Sequence, residues 1–295
     1  MMMRVTQGML TGNMLRNLMT SQQKMGTYLE QLTTGKKINR PSDDPVIAMK
    51  GMGYRTQVAE VEQYKRNIGE IHNWMDNSDA ALDQTTQALQ RIRELTIKAS
   101  NSPNDKDELE SIQKEVVQLE EHLMELGNTN VNGKHIFNGA NTKERPIKGT
   151  EDGYEVSTDN SDVIIEVGNG TRIKVNVNPE DVFTNQLFDD IAELKAILSG
   201  EADRSELDGR IEALDHHIND TINARSDLGA RMNRIELVED RLDEQIVIAK
   251  KTMSENEDID FEEAITNLIT QESLHRAALS AGSRIIQPSL VDFLR

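Results

Sequence analysis

The sequence predicts a mainly α-helical protein, in which N- and C-terminal segments form a long antiparallel helical bundle or coiled coil with a small β-rich domain inserted in the middle. Both ends carry long apolar repeats at helical spacing, whereas alternating strand-like sequence occurs only near the centre. Hydrophobic residues make up 36% of the chain and aromatic residues 3%. That composition suits helices that bury a narrow seam better than a large compact core.

The first predicted helix covers residues 5–34 and ends at Gly35, a natural helix stop. Its predicted seam, spaced by three and four residues, is Leu15, Leu18, Gln22, Met25, Leu29 and Leu32. Two prolines, Pro41 and Pro45, exclude a continuous helix through the connector that follows. A second helix is expected to begin near Val46, with Ser42, Asp43 or Asp44 supplying the capping oxygen.

The second helix carries the longest regular pattern of the chain. Seam positions repeat every seven residues from Val61 to Ala99, and three of them, Ser78, Thr85 and Thr96, are hydroxyl residues. Such a mixed seam favours burial inside a bundle over a two-stranded zipper. The segment 101–105 ends this helix, and a third helix with the same spacing runs from about Leu109 to a stop at Gly127.

The middle of the chain changes to turn and strand signals. Two Asn-Gly steps, at 132–133 and 138–139, predict a first hairpin. A second hairpin is predicted from alternation on both sides of Gly168-Asn169-Gly170, with positive φ at both Asn169 and Gly170.

Helical spacing resumes near Asn185, pauses at Ser199-Gly200, and continues from about 203 to the acidic interval 254–260, where the helix is expected to break. A last helix follows. The predicted divisions are an N-terminal assembly helix (1–36), the two halves of a helical bundle domain (37–139 with a hairpin, and 183–255), a β-rich domain (140–182), and a C-terminal assembly helix (256–295).

The two terminal helices are expected to be marginal alone, because ordering about thirty residues costs more than a seam of six side chains supplies. We therefore expect both ends to be largely disordered in the free monomer and to fold on assembly. The alternative is a pair between the first and last helices of one chain.

Charge and composition exclude several classes of function. A net charge of −18 argues against general binding to nucleic acid or to anionic membranes. Residues 1–66 hold ten Lys or Arg against five Asp or Glu, and residues 67–249 hold eighteen against thirty-eight. This asymmetry is either an aid to the register of neighbouring subunits or simply a solvated surface. No stretch is apolar enough to insert in a membrane, and Met1–Thr20 does not resemble a signal peptide.

Nothing in the sequence predicts a catalytic, cofactor-binding or metal-ligating residue, and we expect no enzymatic activity. The chain has no Cys, which excludes disulfides and thiolate chemistry. No HExxH pattern or phosphate-binding loop occurs, and the adjacent His216 and His217 point about 100° apart on a helix.

Motifs at both ends resemble the flagellin superfamily. Leu-Thr-Thr-Gly-Lys-Lys-Ile-Asn at 32–39, followed by Ser-Asp-Asp-Pro at 42–45, resembles the linker after the family's terminal helix. The stretch 80–101 is similar to the family's long N-terminal helix, and 285–295 to its C-terminal helix. The resemblance covers the helical segments, about two thirds of the chain.

Within the superfamily, three details favour the hook-associated protein 3 type over filament flagellins. These are the start Met-Arg-Val-Thr at 3–6, the Arg40-Pro41 pair in the linker, and the Ile136-Phe137 run before Gly139; the ending with Phe293 also fits. His135 departs from the pattern, because an aromatic residue is common there. Met1-Met2 precede the family-like start, so Met3 is an alternative start.

The resemblance implies a structural subunit outside the bacterial cell, at the flagellar hook–filament junction, exported without cleavage of a signal. Its implied partners are flagellin, the neighbouring hook-associated protein 1, further copies of itself in a ring, and an export chaperone. The alternatives are a minor flagellin and an unrelated extracellular coiled-coil protein. The candidate assembly residues are Leu18, Met25, Leu32, Asn39, Arg40, Pro41, Asp43, Asp44, Leu290, Phe293 and Leu294.

Overall fold

The computed structural model describes residues 7–101, 106–150, 153–200 and 202–286. Within these ranges the chain is mainly helical, with short antiparallel strand pairs in the middle, as predicted. The helices are α1 (Gln7–Thr34), α2 (Pro45–Asn101), α3 (Lys106–Gly127), α4 (Asn185–Ser199), α5 (Leu207–Glu257) and α6 (Phe261–Ile286). The strands are β1 (Asn130–Val131), β2 (Lys134–His135), β3 (Ile147–Thr150), β4 (Gly153–Val156), β5 (Ile164–Gly168) and β6 (Thr171–Lys174).

The structure confirms the predicted stop of α1 and the predicted cap of α2. Gly35 follows α1 with φ of 70°, a left-handed conformation that favours glycine. Of the three candidate caps for α2, the structure selects Asp44, whose Oδ1 accepts hydrogen bonds from Val46 N at 2.9 Å and Ile47 N at 3.1 Å. Pro45 is the first residue of the helix, where its missing N–H costs nothing.

The chain divides into two compact units, and the larger one, Val61–Glu244, contains most of the core. Its main apolar cluster joins one face of α2 to α3, α4 and the start of α5. The predicted hydroxyl positions of the α2 seam, Ser78, Thr85 and Thr96, are fully buried. Each donates to the carbonyl four residues earlier, at 2.8–2.9 Å, so no hydroxyl is left unpaired. The seam is therefore part of a bundle, as predicted.

The strands form three separate two-stranded hairpins. The β1–β2 hairpin turns at Asn132-Gly133, where both residues have positive φ, 53° and 80°, as an Asn-Gly turn requires. The β3–β4 hairpin was not predicted as a separate element, because only its terminal residues, Ile147 and Val156, are buried and the sequence between them does not alternate.

The prediction for the turn of the β5–β6 hairpin was half wrong. Gly170 has φ of 73°, but Asn169 is not in the positive-φ region. The pairing shifts between Glu166 and Gly168, so that Val167 is an extra residue in β5. A bulge adds local twist to a strand, and we attribute the different turn to it.

The smaller unit comprises residues 1–60 and 245–295, and in its described part α1 pairs with α6. Gln271 of α6 donates a hydrogen bond to Ser21 Oγ of α1 at 2.8 Å, at a position where Ser21 is buried. In the described residues the structure has the alternative, a pair between α1 and α6 of one chain, and not the disorder that we expected there. The physical reason is that each helix lends the other an apolar stripe that neither could bury alone.

The connection between α5 and α6 is shorter than predicted. Helix α5 continues through the acidic interval to Glu257, since acidic residues are compatible with an exposed helical face. The break is confined to Asp258–Asp260. Asp260 then caps α6, because its Oδ1 accepts from Glu262 N at 3.0 Å and Glu263 N at 3.2 Å.

Candidate assembly surface

The connectors at the two ends of the chain pair with each other in the smaller unit. Lys36 and Asp258 form an isolated antiparallel β-bridge. Lys37 N donates to Glu257 O at 2.7 Å, and Ile259 N donates to Gly35 O at 3.0 Å. Residues 35–37 and 257–259, which we call the connector bridge, thus satisfy backbone groups that the helix ends leave free.

Charged side chains reinforce the connector bridge. Lys36 Nζ lies 2.6 Å from Asp258 Oδ1 and 3.5 Å from Glu257 Oε2, and Arg55 Nη2 lies 2.7 Å from the same Glu257 oxygen. The Glu257 side chain is only 5% exposed, so the two cations compensate a buried carboxylate. The hydrogen bond to Asp258 raises the pKa of Lys36, and that same bond, followed by one from Ser254, lowers the pKa of Asp258.

The linker residues Asn39–Asp44 make a turn that is fixed by its own carboxylates. Asp43 Oδ2 accepts from the backbone N–H of Asn39 at 3.2 Å and of Arg40 at 2.9 Å, and Asp44 caps α2. Both carboxylates therefore have roles within the chain. Asn39, Arg40 and Pro41 are exposed.

A surface groove of ≈ 570 Å³ runs beside this turn. Its walls are Gln23, Thr27 and Glu30 of α1 on one side and residues 37–40, 43 and 44 of the linker on the other. Asn39, Arg40, Asp43 and Asp44 all line it, so four of the predicted residues meet at one place.

The predicted residues of α1 occupy its half-buried face. Leu18 and Met25 lie three residues before and four residues after Ser21, which contacts α6, and Leu32 continues the same stripe. These side chains contribute to the α1–α6 pair, and contacts of theirs with other subunits stay a prediction. Leu290, Phe293 and Leu294 lie outside the described residues.

The outer face of α1 differs from the predicted seam. Leu15 and Leu29, predicted to be seam residues, are 49% and 54% exposed. They share a face with Met19, which is 69% exposed, while the helix turns Ser21 and Met25 toward α6. Helix α1 therefore has two apolar stripes, and only one of them is covered.

Uncovered apolar side chains are concentrated in the smaller unit. Among the residues whose side chains the structure describes, fourteen of seventeen exposed large apolar residues belong to it. Only three of the forty-two buried apolar residues, alanines included, do. The fourteen are Met9, Leu15, Met19, Leu29, Val46, Met49, Met52, Val247, Ile248, Phe261, Ile265, Ile269, Leu274 and Leu279. Exposed apolar patches of this extent mark surfaces that bind other proteins.

Sequence reasoning missed part of this surface. Val46, Met49 and Met52 follow each other at intervals of three in the first turns of α2, before the seam begins at Val61. That spacing could have shown an apolar stripe outside the bundle. Glu257 could not have been singled out among 51 acidic residues, because only the fold brings Lys36 and Arg55 beside it.

The described part of the chain contains neither a metal-binding cluster nor a membrane-spanning helix. No group of three or more His, Asp or Glu side chains in it could hold a metal ion. None of its helices is long and apolar enough to cross a membrane.

Comparison with protein families gives matches at both ends of the chain. The bacterial flagellin N-terminal helical region matches residues 5–142, and the bacterial flagellin C-terminal helical region matches residues 211–294. The first match contains α1 to α3 with the β1–β2 hairpin, and the second contains most of α5 and all of α6. Both connectors of the bridge fall inside the matched regions.

Individual relatives differ in how much of the chain they cover. Flagellar hook-associated protein 3 of Escherichia coli is 26% identical in an alignment of 303 positions, which covers 95% of this chain and 96% of that protein. The flagellin of Bacillus subtilis is also 26% identical, but over 79% of this chain and 80% of its own length. Coverage, and not identity, separates the two relatives.

A solved structure has the same fold. The crystal structure of Bacillus cereus FlgL superposes with a TM-score of 0.59 at 25% identity, covering 68% of this chain and 99% of that one. With the two family models together matching about three quarters of its residues, this chain belongs to the flagellin superfamily.

Proposed function

We propose that this chain is a structural subunit of the bacterial flagellum that joins the hook-associated region to the flagellin filament and templates filament assembly. The observation that carries the proposal is the concentration of uncovered apolar side chains in the smaller unit. Burial of such apolar surface against neighbouring subunits removes it from water, and that burial favours assembly. The similarity to hook-associated protein 3, which extends over 95% of the chain, supports the junction as the place of assembly.

The candidate interface has two parts. Leu18, Met25 and Leu32 hold the α1–α6 pair together, and the outer stripe with Leu15, Met19 and Leu29 meets neighbouring subunits. The linker residues Asn39, Arg40, Asp43 and Asp44 receive polar side chains in the groove beside α1, and Pro41 stays a candidate contact outside that groove. Leu290, Phe293 and Leu294, which lie outside the described residues, stay candidate assembly residues in this proposal.

The partners in this proposal are other copies in a ring, hook-associated protein 1 on one side and flagellin on the other. The protein acts outside the cell, is exported without cleavage of a signal, and is escorted by an export chaperone. The five-part division stays a prediction: 1–36 and 256–295 assemble, 37–139 and 183–255 form the bundle domain, and 140–182 is the β-rich domain.

A minor flagellin is the second candidate. The Bacillus subtilis flagellin is as similar in identity as hook-associated protein 3 of Escherichia coli is, although over less of the chain. A flagellin adds to itself without limit and forms filaments, whereas a junction subunit stops at a ring. The two candidates therefore make opposite predictions for a cell that lacks this protein.

Deletion of the gene in its host tests the proposal. Electron microscopy of the cells and immunoblotting of the medium should show hooks without filaments and flagellin lost to the medium. Filaments of normal or merely reduced length would contradict the junction assignment and favour the minor flagellin.

Matched variants in the deletion strain test the surface itself. Leu29→Ser places a polar group on the exposed face of α1, and Leu237→Ser does the same on α5 in the larger unit, where Leu237 is 71% exposed. We expect Leu29→Ser to reduce the fraction of cells with filaments about tenfold, because an unpaired buried hydroxyl costs 1–3 kcal/mol. Leu237→Ser should restore filaments fully. Equal restoration by both variants would show that the α1 face is not an interface.

A further inference from the structure

Methionine is the only sulfur-containing residue type in this chain, which has 13 Met and no Cys. Four methionines of the smaller unit are widely open to solvent: Met9, Met19, Met49 and Met52 are 60%, 69%, 65% and 58% exposed. In contrast, Met75, in the core of the larger unit, is fully buried. Reagents that attack thioethers in the folded protein therefore meet the smaller unit first.

Three of these methionines lie on apolar stripes. Met19 is four residues after Leu15 on the outer face of α1, and that face continues through Gly26, where an added Cβ would have no atom within 4 Å. Met49 and Met52 follow Val46 at intervals of three in the first turns of α2. Their neighbours on these faces are themselves exposed apolar residues. A polar group introduced there would lie beside exposed apolar side chains.

We propose that Met9, Met19, Met49 and Met52 are oxidation sites whose sulfoxides prevent the free subunit from joining an assembly; the consequence for assembly rests on the proposed function. Hydrogen peroxide is the oxidant. The sulfur lone pair attacks one peroxide oxygen, the O–O bond breaks, and water leaves after proton transfer. The thioether is oxidised by two electrons and the peroxide is reduced by two.

The oxidation acts on the free subunit, because assembly covers the same stripes. A sulfoxide is polar, and an interface that buries it without a hydrogen-bond donor is weakened by roughly tenfold or more. Methionine sulfoxide reductases return the thioether, so the change is reversible. The four exposed methionines thus give an extracellular structural protein a means of sensing peroxide before it assembles.

The first measurement maps oxidation in the purified full-length protein. With limiting peroxide, peptide mass spectrometry should find sulfoxide at the four exposed methionines well before Met75. Oxidation of Met75 at the same rate, with circular dichroism unchanged, would overturn the assignment of the sites.

The second measurement tests the consequence. Hooks isolated from the deletion strain are mixed with untreated or peroxide-treated protein and sedimented, and each protein is compared with its own untreated sample. Peroxide should reduce co-sedimentation of the natural sequence at least tenfold, and a methionine sulfoxide reductase should restore it. Met75→Leu should keep this sensitivity, and the fourfold Met→Leu variant at positions 9, 19, 49 and 52 should lose it.

Two failures can be told apart. If untreated protein does not sediment with hooks, the proposed function is wrong and the consequence for assembly falls with it. If treated protein carries the four sulfoxides and still sediments normally, the inference is wrong and the proposed function stands.

Discussion

Glu257 is a carboxylate inside the protein, and its surroundings decide its role. Its backbone carbonyl accepts from Lys37 N, and its side chain pairs with Arg55 and Lys36. An added Cβ on Gly51 would lie 2.5 Å from Glu257 Oε1, so α2 approaches this carboxylate closely. One residue therefore links the linker, the end of α5 and the first turns of α2.

Replacement of Glu257 by Gln should loosen the connector bridge. The amide keeps the shape of the side chain but removes the charge that faces two cations, which should cost about 1–3 kcal/mol of local stability. Hydrogen exchange of the Lys37 and Ile259 amides measures this loss. Glu255→Gln, two residues away on an exposed side chain, is the matched control and should leave both amides protected. If the Lys37 and Ile259 amides were as protected in Glu257→Gln as in the unsubstituted protein, the backbone hydrogen bonds alone would be enough to hold the connector bridge.

The ion pair between Lys36 and Asp258 should hold over a defined pH range. The pKa of Asp258 is lowered in the folded chain, so the ionised carboxylate stabilises the fold. This stabilisation is fully present above the pKa of the unfolded chain, about 3.9, and is lost as the pH falls through the folded pKa. The pKa of Lys36 is raised in the folded chain, so the charged ammonium stabilises the fold. This stabilisation is fully present below the pKa of the unfolded chain, about 10.4, and is lost as the pH rises through the folded pKa.

Carboxyl-detected NMR titration checks this pairing. In Lys36→Met the midpoint of Asp258 should rise toward about 3.9, because the strongest hydrogen bond to the carboxylate is removed. Lys37→Met should cause a smaller rise, since Lys37 acts on Asp258 only through its charge. An unchanged midpoint in Lys36→Met would contradict the ion pair.

At the scale of elements, periodicity predicted the helices well and side-chain partners poorly. The heptad from Val61 to Ala99 and the stops at Gly35 and Gly127 gave α2, α1 and α3 close to their observed ends, because these signals are local. The choice between the two stripes of α1 depended on where α6 lies, and no local signal contains that information. Leu15 and Leu29 were misplaced for this reason.

The same distinction applies to the candidate surface. Asp44 was a predicted cap and Asn39–Asp43 a predicted linker, since prolines and short polar side chains determine such turns locally. The connector bridge was not predicted, because it joins residues 222 positions apart. Contacts of that range follow from the pairing of whole helices.

The pairing of α2 with α5 in the larger unit is reinforced by Arg225. Its guanidinium binds Asp79 Oδ1 at 2.7 Å and Oδ2 at 3.1 Å, and it also binds Asp83. These side chains are 35–41% exposed, so solvent screens the network. The bidentate geometry nevertheless fixes the facing turns of the two helices.

Arg225→Met should lower the free energy of unfolding by about 1 kcal/mol at low salt. The loss should shrink at 1 M salt, where the Debye length is about 3 Å, because screening already weakens the network. Urea unfolding at both salt concentrations measures it, with Arg234→Met, an exposed arginine on the same helix, as control. A loss that does not depend on salt would indicate packing of the arginine stem instead.

At the scale of the whole molecule, the two units differ in how much apolar surface they bury. The smaller unit contains only three of the forty-two buried apolar residues. Because it buries so little apolar surface, it should unfold locally at a lower free energy than the larger unit. In the free protein, amides of α1 and α6 should exchange at least tenfold faster than those of the α2 seam, and assembly should slow them. Equal protection before assembly would contradict the assignment of a weakly held unit.

The long separation in sequence between α1 and α6 has a consequence for how the protein is synthesised. Helix α1 is complete at Thr34, but its partner α6 begins only at Phe261. At typical translation rates of ~5–20 residues per second, the first helix waits on the order of tens of seconds for the segment that covers it. During that interval α1 has no partner helix in the nascent chain, because α6 has not yet been made. The order in which the residues are made therefore leaves α1 uncovered until α6 has been synthesised.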